Sequence, residues 1–397
     1  MKKFLAAVMM LISLSGVGCA GAEPQNLSGS VNQFCWKYFA TLARDENVFY
    51  SPYGIHAALS ILANGADGDT RKEILNALEV DSLDELNAAH KKFSEFAAKN
   101  YDDFAAANLL LVDKKIVGRG FNENFKRIVS DNYKSEIRTA DFSGDEKIER
   151  EKVRLWAAGK TKNFINECNS FSNFGTPLSL VNVVCFSGGL ELPFTSGHFR
   201  KEFTNRDGSE GTAVMISNVF TNEIKYRADE KFKGIELPYK SNAALYLILP
   251  TDDGALNVAD AWNAETFEYR ENFLDYLSDC SAFSGEVVVR IPRMEFEYDN
   301  LSYQDFQSLG LQRLFFKDDA TLSNIVAGKA LNLGSVVQNC KGTAIEPRTE
   351  AAMIKATDAP NPQPPQRIYF IANRPFVFVI RDVESGVILF AGAVNQL

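Results

Sequence analysis

Nine residues, Leu178 to Phe186, run almost without a break as apolar sequence. A half-exposed strand would alternate polar and apolar positions, and a surface helix would repeat every three or four. A nearly continuous run of this length fits a strand buried on both faces. Near its middle the polar residue Asn182 interrupts it. A buried amide must find hydrogen-bond partners, so Asn182 is either a structural node or part of a moving joint.

Around this strand the chain alternates helix and strand signals. Ser51-Pro52 opens a helix, with Ser as the cap and Pro at the first helical position. Ile55, Ala58, Leu59 and Leu62 follow on one face, and Asn64-Gly65 ends it. Thr70 and Glu73 have the spacing of a capping box for the next helix. Ala243 to Leu249 reads as a strand stopped by Pro250. Val287, Val289 and Ile291 alternate, as do Met294, Phe296 and Tyr298, with a phase slip at Pro292-Arg293 that predicts a bulge or an edge. Leu301 to Leu314 has helical spacing. Phe376 to Ile380 and Val387 to Phe390 read as a hairpin turning near Ser385-Gly386. Mixed helices and strands, several of them antiparallel, give the fold class α+β. No repeat and no linker divides the chain.

Composition excludes several functions. At 46% hydrophobic, with 30 Phe among 397 residues, the chain is neither disordered nor low-complexity. A net charge of −9 argues against a general phosphate-binding surface. Only His56, His90 and His198 are available for histidine chemistry, and they are far apart in sequence. His56 reads as a hydrogen-bonded structural residue. No G-x-S-x-G, H-E-x-x-H, EF-hand loop or Cys-x-x-Cys occurs. Gly159-Lys160-Thr161 echoes a phosphate loop, but Arg154 stands where the first Gly is required. Neither a catalytic constellation, a metal site nor a cofactor site is expected.

The N-terminus reads as an export signal over residues 1–22: Lys2-Lys3, an apolar run from Phe4 to Leu14, then small residues. Cleavage after Ala20-Gly21-Ala22 would release a soluble protein at Glu23, extracellular or periplasmic, and would take the charge from −9 to −11. The alternative is processing before Cys19, with a lipid anchor holding the protein to a bacterial membrane; Gly16 weakens that motif. The short Lys-Lys start suggests a bacterial leader. Five cysteines follow, at 35, 168, 185, 280 and 340, an odd number that leaves at least one unpaired or paired between molecules. Cys185 reads as a small core residue.

One segment, from about Glu346 to Ile368, is longer than ordinary connections. Thr349 to Ile354 has no Gly or Pro and can become a strand, whereas Pro360, Pro362, Pro364 and Pro365 keep the second half out of any sheet. The segment reads either as a sprung bait or simply as a long surface loop.

Phe370-Ile371-Ala372-Asn373-Arg374-Pro375-Phe376-Val377-Phe378-Val379-Ile380 resembles the C-terminal signature of the serpin family. The resemblance extends over nearly the whole mature chain. Asn47 to Ile55 is similar to the family's opening N-x-x-x-S-P-x-S-I, with Gly54 in place of Ser. Gly65-Ala66-Asp67-Gly68-Asp69-Thr70, Tyr133 with Glu136, Asp141-Phe142, Trp156 with Thr161 and Ile165, Leu180-Val181-Asn182 with Phe186 and Gly188, Leu237-Pro238-Tyr239, Leu309-Gly310-Leu311 and Thr349-Glu350-Ala351-Ala352 follow in the family's order.

The resemblance implies one domain over 23–397 with three β-sheets, eight or nine helices and an exposed reactive loop. It implies an inhibitor rather than an enzyme, and a monomer. The partner is a target serine protease, or a cysteine protease, held in a covalent 1:1 complex after attack on the loop. The cut loop then enters the central sheet as a new strand. By the family's count the reactive bond is Pro362-Gln363. The loop hinge is Glu346, Pro347, Arg348, Thr349, Glu350, Ala351 and Ala352. The residues facing inward on insertion are Thr349, Ala351, Met353, Lys355, Thr357 and Ala359. Ser51, Asn182 and Gln338 mark the region where the sheet opens.

Several positions depart from the family pattern. Pro347 and Arg348 replace the usual Glu and Gly of the hinge, Lys355 replaces a small hydroxyl residue, Gln338 stands where a His is common, and Leu190 replaces a Trp. Proline at the reactive bond disfavours most serine proteases. Lys355 and Arg367 would suit trypsin-like enzymes but lie too near and too far; the guanidinium of Arg367 could anchor a partner instead. The alternative function is a serpin-fold binding protein whose proline-rich loop is a docking or substrate segment.

Overall fold

The structure is a computed structural model of the chain and describes residues 27–42, 46–118, 120–167, 177–192, 194, 196–298, 303–316, 322–343 and 366–397. The predicted export signal over residues 1–22, with Cys19, and Cys168 lie outside the described residues.

Among the described residues there are nine α-helices: α1 Leu27–Leu42, α2 Pro52–Gly65, α3 Gly68–Ala77, α4 Leu83–Asn100, α5 Glu123–Tyr133, α6 Glu146–Lys160, α7 Val258–Ala264, α8 Phe267–Asp279 and α9 Tyr303–Ser308. Local signals set several of their starts. Ser51 caps α2 as its sequence predicts, its Oγ accepting from the Gly54 amide at 3.1 Å. Every residue of α2 is buried. The capping box expected at Thr70 and Glu73 is not the start of α3. Asp67 caps that helix, its Oδ1 accepting from the Gly68 amide at 2.8 Å, and Thr70 is buried inside the helix. Gly68 tolerates a φ of +53°, which lets the helix begin before Thr70. Leu301 to Leu314 divides into α9 and a 3₁₀ turn at Arg313–Phe315.

The strands form three sheets. The six-stranded sheet has the order β1 (Val48–Tyr50), β15 (Ile388–Val394), β14 (Phe376–Asp382), β9 (Ala243–Pro250), β8 (Phe232–Pro238), β7 (Lys225–Ala228). The four-stranded sheet has the order β13 (Arg367–Ile371), β10 (Glu286–Pro292), β6 (Glu210–Thr221), β5 (Ser196–Thr204). The five-stranded sheet has the order β11 (Glu295–Tyr298), β12 (Ser335–Thr343), β4 (Leu178–Phe186), β2 (Phe104–Asp113), β3 (Glu136–Ala140).

The predicted C-terminal hairpin is β14 and β15, antiparallel from Phe376↔Val394 to Ile380↔Phe390. Gly392 sits where it meets β1: a Cβ there would lie 2.2 Å from the Val48 carbonyl oxygen. The phase slip at Pro292-Arg293 is neither a bulge within one strand nor a simple edge. The chain leaves the four-stranded sheet at Pro292 and enters the five-stranded sheet at Glu295, so the two alternations belong to different sheets.

The five-stranded sheet is covered on both faces, as the apolar run of β4 requires. On one face Leu178, Leu180, Leu110 and Val336 join the core around α1 and α2. On the other, Val181, Val183, Cys185 and Val337 meet Val153, Trp156 and Ala157 of α6. Among the described residues, Cys35, Cys185, Cys280 and Cys340 are not joined to one another by disulfides.

Candidate functional site

The five-stranded sheet contains one unusual seam. β12 and β4 are adjacent and parallel over eight residue pairs, from Ser335↔Ser179 to Gly342↔Phe186. On either side of the seam the next neighbours, β11 and β2, are antiparallel to them. A single strand running the other way, placed between β12 and β4, would be antiparallel to both and would gain two full ladders of hydrogen bonds.

The chain that leaves β12 after Thr343 returns at Gln366, whose carbonyl oxygen accepts from the Glu286 amide at 2.9 Å. β13 then pairs with β10 in parallel. The intervening residues 344–365 lie outside the described residues. They include the whole predicted hinge (Glu346, Pro347, Arg348, Thr349, Glu350, Ala351, Ala352), the rest of the inward set (Met353, Lys355, Thr357, Ala359) and the reactive bond Pro362-Gln363. Just beyond them, the Arg367 guanidinium is already forked onto Glu286, its Nε donating at 2.7 Å, so it is not a free anchor.

Midway along the seam the structure brings Ser51, Asn182 and Gln338 together, all fully buried. Gln338 Nε2 donates to Asn182 Oδ1 at 2.9 Å and to the Ser51 carbonyl at 3.0 Å, and its Oε1 accepts from the Ser51 amide at 3.3 Å. Ser51 Oγ donates to the Leu389 carbonyl at 2.7 Å. Asn182 Nδ2 donates to Asn108 Oδ1 at 2.8 Å. One polar network thus ties both strands of the seam, the next strand β2, the start of α2 and β15. A new strand in the seam has to break the Gln338–Asn182 bond.

Sequence reasoning missed two members of this site. Asn108 interrupts the apolar sequence of β2 as Asn182 interrupts β4, so its signal was present. Gly54 is the other. A Cβ there would lie 2.5 Å from Asn182 Oδ1, 2.6 Å from Val184 Cγ2 and 2.9 Å from Gln338 Nε2, so the asparagine–glutamine pair occupies the space that a side chain would take.

Beneath the site, His56 of α2 and His90 of α4 meet with Nδ1 and Nε2 3.0 Å apart, both buried. Ser60 Oγ donates to the His56 carbonyl at 2.7 Å, which leaves only its lone pairs for His90 Nε2 at 3.3 Å. His90 therefore carries its proton on Nε2, and His56 Nδ1 accepts. Burial pushes the His56 pKa down to about 3 and moves His90 downward as well. Both rings are neutral clamps between helices rather than bases. A cavity of about 190 Å³, bordered by Tyr53, Gly54, Ala57, His90, Asn108 and Asn182, adjoins them. Leu190 is buried against the end of β8, bridging Tyr239. Among the described residues no group of three or more His, Cys, Asp or Glu side chains is placed to hold a metal. No described helix is long and apolar enough to cross a membrane.

Known proteins share this fold. The family model for serpins, serine protease inhibitors, matches residues 29–397. The chain belongs to the serpin family. It is 28% identical to mouse antithrombin-III over 393 residues, covering 93% of this chain and 81% of that protein. An uncharacterised serpin-like protein of the archaeon Methanosarcina acetivorans is 26% identical, covering 94% of this chain and 87% of that protein. Native tengpin, a thermophilic serpin, superposes with a TM-score of 0.79 at 22% identity, covering 95% of each chain. The two sequence relatives come from an animal and an archaeon, and neither lends support to a bacterial type. Three sheets and nine described helices are the serpin fold. Serpins are generally inhibitors of target proteases rather than catalysts.

Proposed function

We propose that this serpin is a suicide-substrate inhibitor of a serine protease, or of a cysteine protease with the same acyl chemistry. The protease attacks the 344–365 loop, by count at Pro362-Gln363, and forms an acyl-enzyme in a covalent 1:1 complex. The freed N-terminal part of the loop then enters the seam, with Thr349, Ala351, Met353, Lys355, Thr357 and Ala359 on its inward face. The acyl-linked protease is carried with it before the ester hydrolyses. The observation that carries this reading is the parallel β12–β4 seam, with residues 344–365 following directly from one of its two strands. The serpin acts as a monomer, exported and released at Glu23, with lipid attachment at Cys19 as the second mode.

A non-inhibitory docking function is favoured by specific residues: Pro347 and Arg348 stiffen the hinge, and four prolines follow Ala359. A panel of proteases separates the two. The inhibitor forms a complex that survives boiling in detergent, and mass spectrometry of the released C-terminal peptide gives the reactive bond. Cleavage of the loop by every protease without any trapped complex would leave the docking function.

A further inference from the structure

The two faces of the β12–β4 seam are built differently. On the face toward α2 the buried amides are bonded: Gln338 to Asn182 and to Ser51, and Asn182 to Asn108. On the face toward α6 one amide is not. Asn339 is 1% exposed, and neither its Oδ1 nor its Nδ2 has a hydrogen-bond partner. We propose that Asn339 is a strain element of the seam: it raises the free energy of the intact fold, and the strain is released when β12 and β4 part. The release rests on the insertion reading given above; the strain does not.

Placement follows from strand alternation. Side chains of a strand point to opposite faces in turn. Gln338 reaches Ser51 at the start of α2, so its neighbours Val337 and Asn339 point the other way. Val337 accordingly packs in the cluster that α6 covers, with Val181, Val183 and Cys185 of β4. Asn339 is directly paired with Val183, and Val181 and Cys185 are the diagonal neighbours on that face. β4 therefore offers the amide an apolar wall. The next residue of β12 on this face, Lys341, lies with its Nζ 5.8 Å from the centroid of the Phe164 ring, and it does not bond the amide either.

The energetics follow from the wall. In the unfolded chain water bonds both ends of an asparagine amide. In the intact fold Asn339 gives up those bonds and receives none in return, which is unfavourable for each end. Exchanging the oxygen and nitrogen of the amide does not help, because both are without a partner. Asparagine is also a poor strand former, whereas β4 places valines on the same face. A residue that breaks the propensity rule and the burial rule together, with no local gain, marks a strained or functional position. The other three buried amides of this sheet, Asn108, Asn182 and Gln338, break no such rule, because each is bonded.

The seam thus carries a catch on one face and a strained residue on the other. A strand entering between β12 and β4 moves them about 4.8 Å further apart. The Gln338–Asn182 bond has to break, which opposes opening. The same movement takes the Val183 wall away from Asn339, and a polar group or water that enters the gap can then bond its amide. Asn339 therefore adds to the difference in stability between the closed and the filled seam.

The test is Asn339→Val in the full chain, with melting measured on the intact protein and after a single cut in residues 344–365. Intact Asn339→Val should be more stable than the wild type, by about tenfold in the folding equilibrium constant. The cut form should not share the increase, so the gain on cutting should shrink by about 2 °C or more. An ordinary stabilising substitution would raise both forms equally and leave the gain as it was; that result would overturn the proposal. Asn339→Ala removes the amide without adding bulk and guards against overpacking by valine. If both variants melt at or below the wild type when intact, the amide is not strained and the proposal falls. Asn182→Val, which removes a bonded amide, should lower the stability of the intact form; a rise there would show that hydrogen bonding does not decide the outcome, and would also overturn the proposal. A wild type with no gain on cutting would remove the insertion reading, and the release of strain with it, even where Asn339→Val stabilises the intact chain.

Discussion

Acid should weaken this protein through one buried pair, His56 and His90. In the folded chain both rings are neutral, joined at 3.0 Å and sealed between α2, α4 and the Ser60 hydroxyl. In the unfolded chain both titrate near 6.5. The folded pKa of His56 is about 3, and that of His90 is also depressed, in both cases chiefly by burial. Between the folded and unfolded values the unfolded chain binds more protons, so stability falls as pH falls. At pH 5 the solution is about 1.5 units below the unfolded histidine pKa, which at 1.36 kcal/mol per unit is about 2 kcal/mol for His56, whose folded pKa lies lower still. His56 alone should therefore cost about 2 kcal/mol between pH 7.5 and pH 5, and His90, depressed by the same burial, adds to the loss in the same direction. Urea unfolding of the intact chain at both pH values measures the loss. Carboxylates titrate over the same range, so the comparison is with a His56→Ala/His90→Phe variant. The wild type should lose at least about 2 kcal/mol more than the variant over this interval. An equal pH dependence in the two proteins would refute the reasoning, because it would mean that the rings are not held neutral.

Further predictions concern the seam. Gln338→Leu should cost the intact protein about 2–6 kcal/mol, because Asn182 Oδ1 and the Ser51 amide lose their partners while buried; urea unfolding gives the value, and a neutral substitution would remove Gln338 from the network. Ser51→Ala loses both the α2 cap and the bond to Leu389, and should cost about 2 kcal/mol. If Ser51→Ala melts like the wild type, the cap and the bridge to β15 carry no weight.

Much of the fold is written in local pattern. Ser51-Pro52 starts α2, the double alternation marks β10 and β11, and the run from Leu178 to Phe186 demands a sheet with two covers. Asn182 announced a polar node, and Asn108 carried the same signal in β2. What local pattern could not carry was the pairing of distant segments. The parallel register of β12 with β4 joins residues 156 positions apart, from Ser179 with Ser335 to Phe186 with Gly342. The slip at Pro292-Arg293 looked like a flaw in one strand because periodicity does not say which sheet a strand joins. His56 and His90 meet only because α2 and α4 pack together, which their separation of 34 residues conceals. Gly54 looked like a lost serine until Gln338 and Asn182 were seen to fill its place. Asp67 displaced Thr70 as a cap because a flexible Gly68 follows it, a competition that the capping-box spacing does not register.

The central claim is that the folded chain has not reached its most stable arrangement, because the seam between β12 and β4 can still accept a strand. Thermal unfolding of the purified protein before and after a single cut in the 344–365 loop tests it most directly. The cut form should melt many degrees above the intact form. A cut form that melts at the same temperature or lower would mean that nothing enters the seam, and the trapping mechanism would fall.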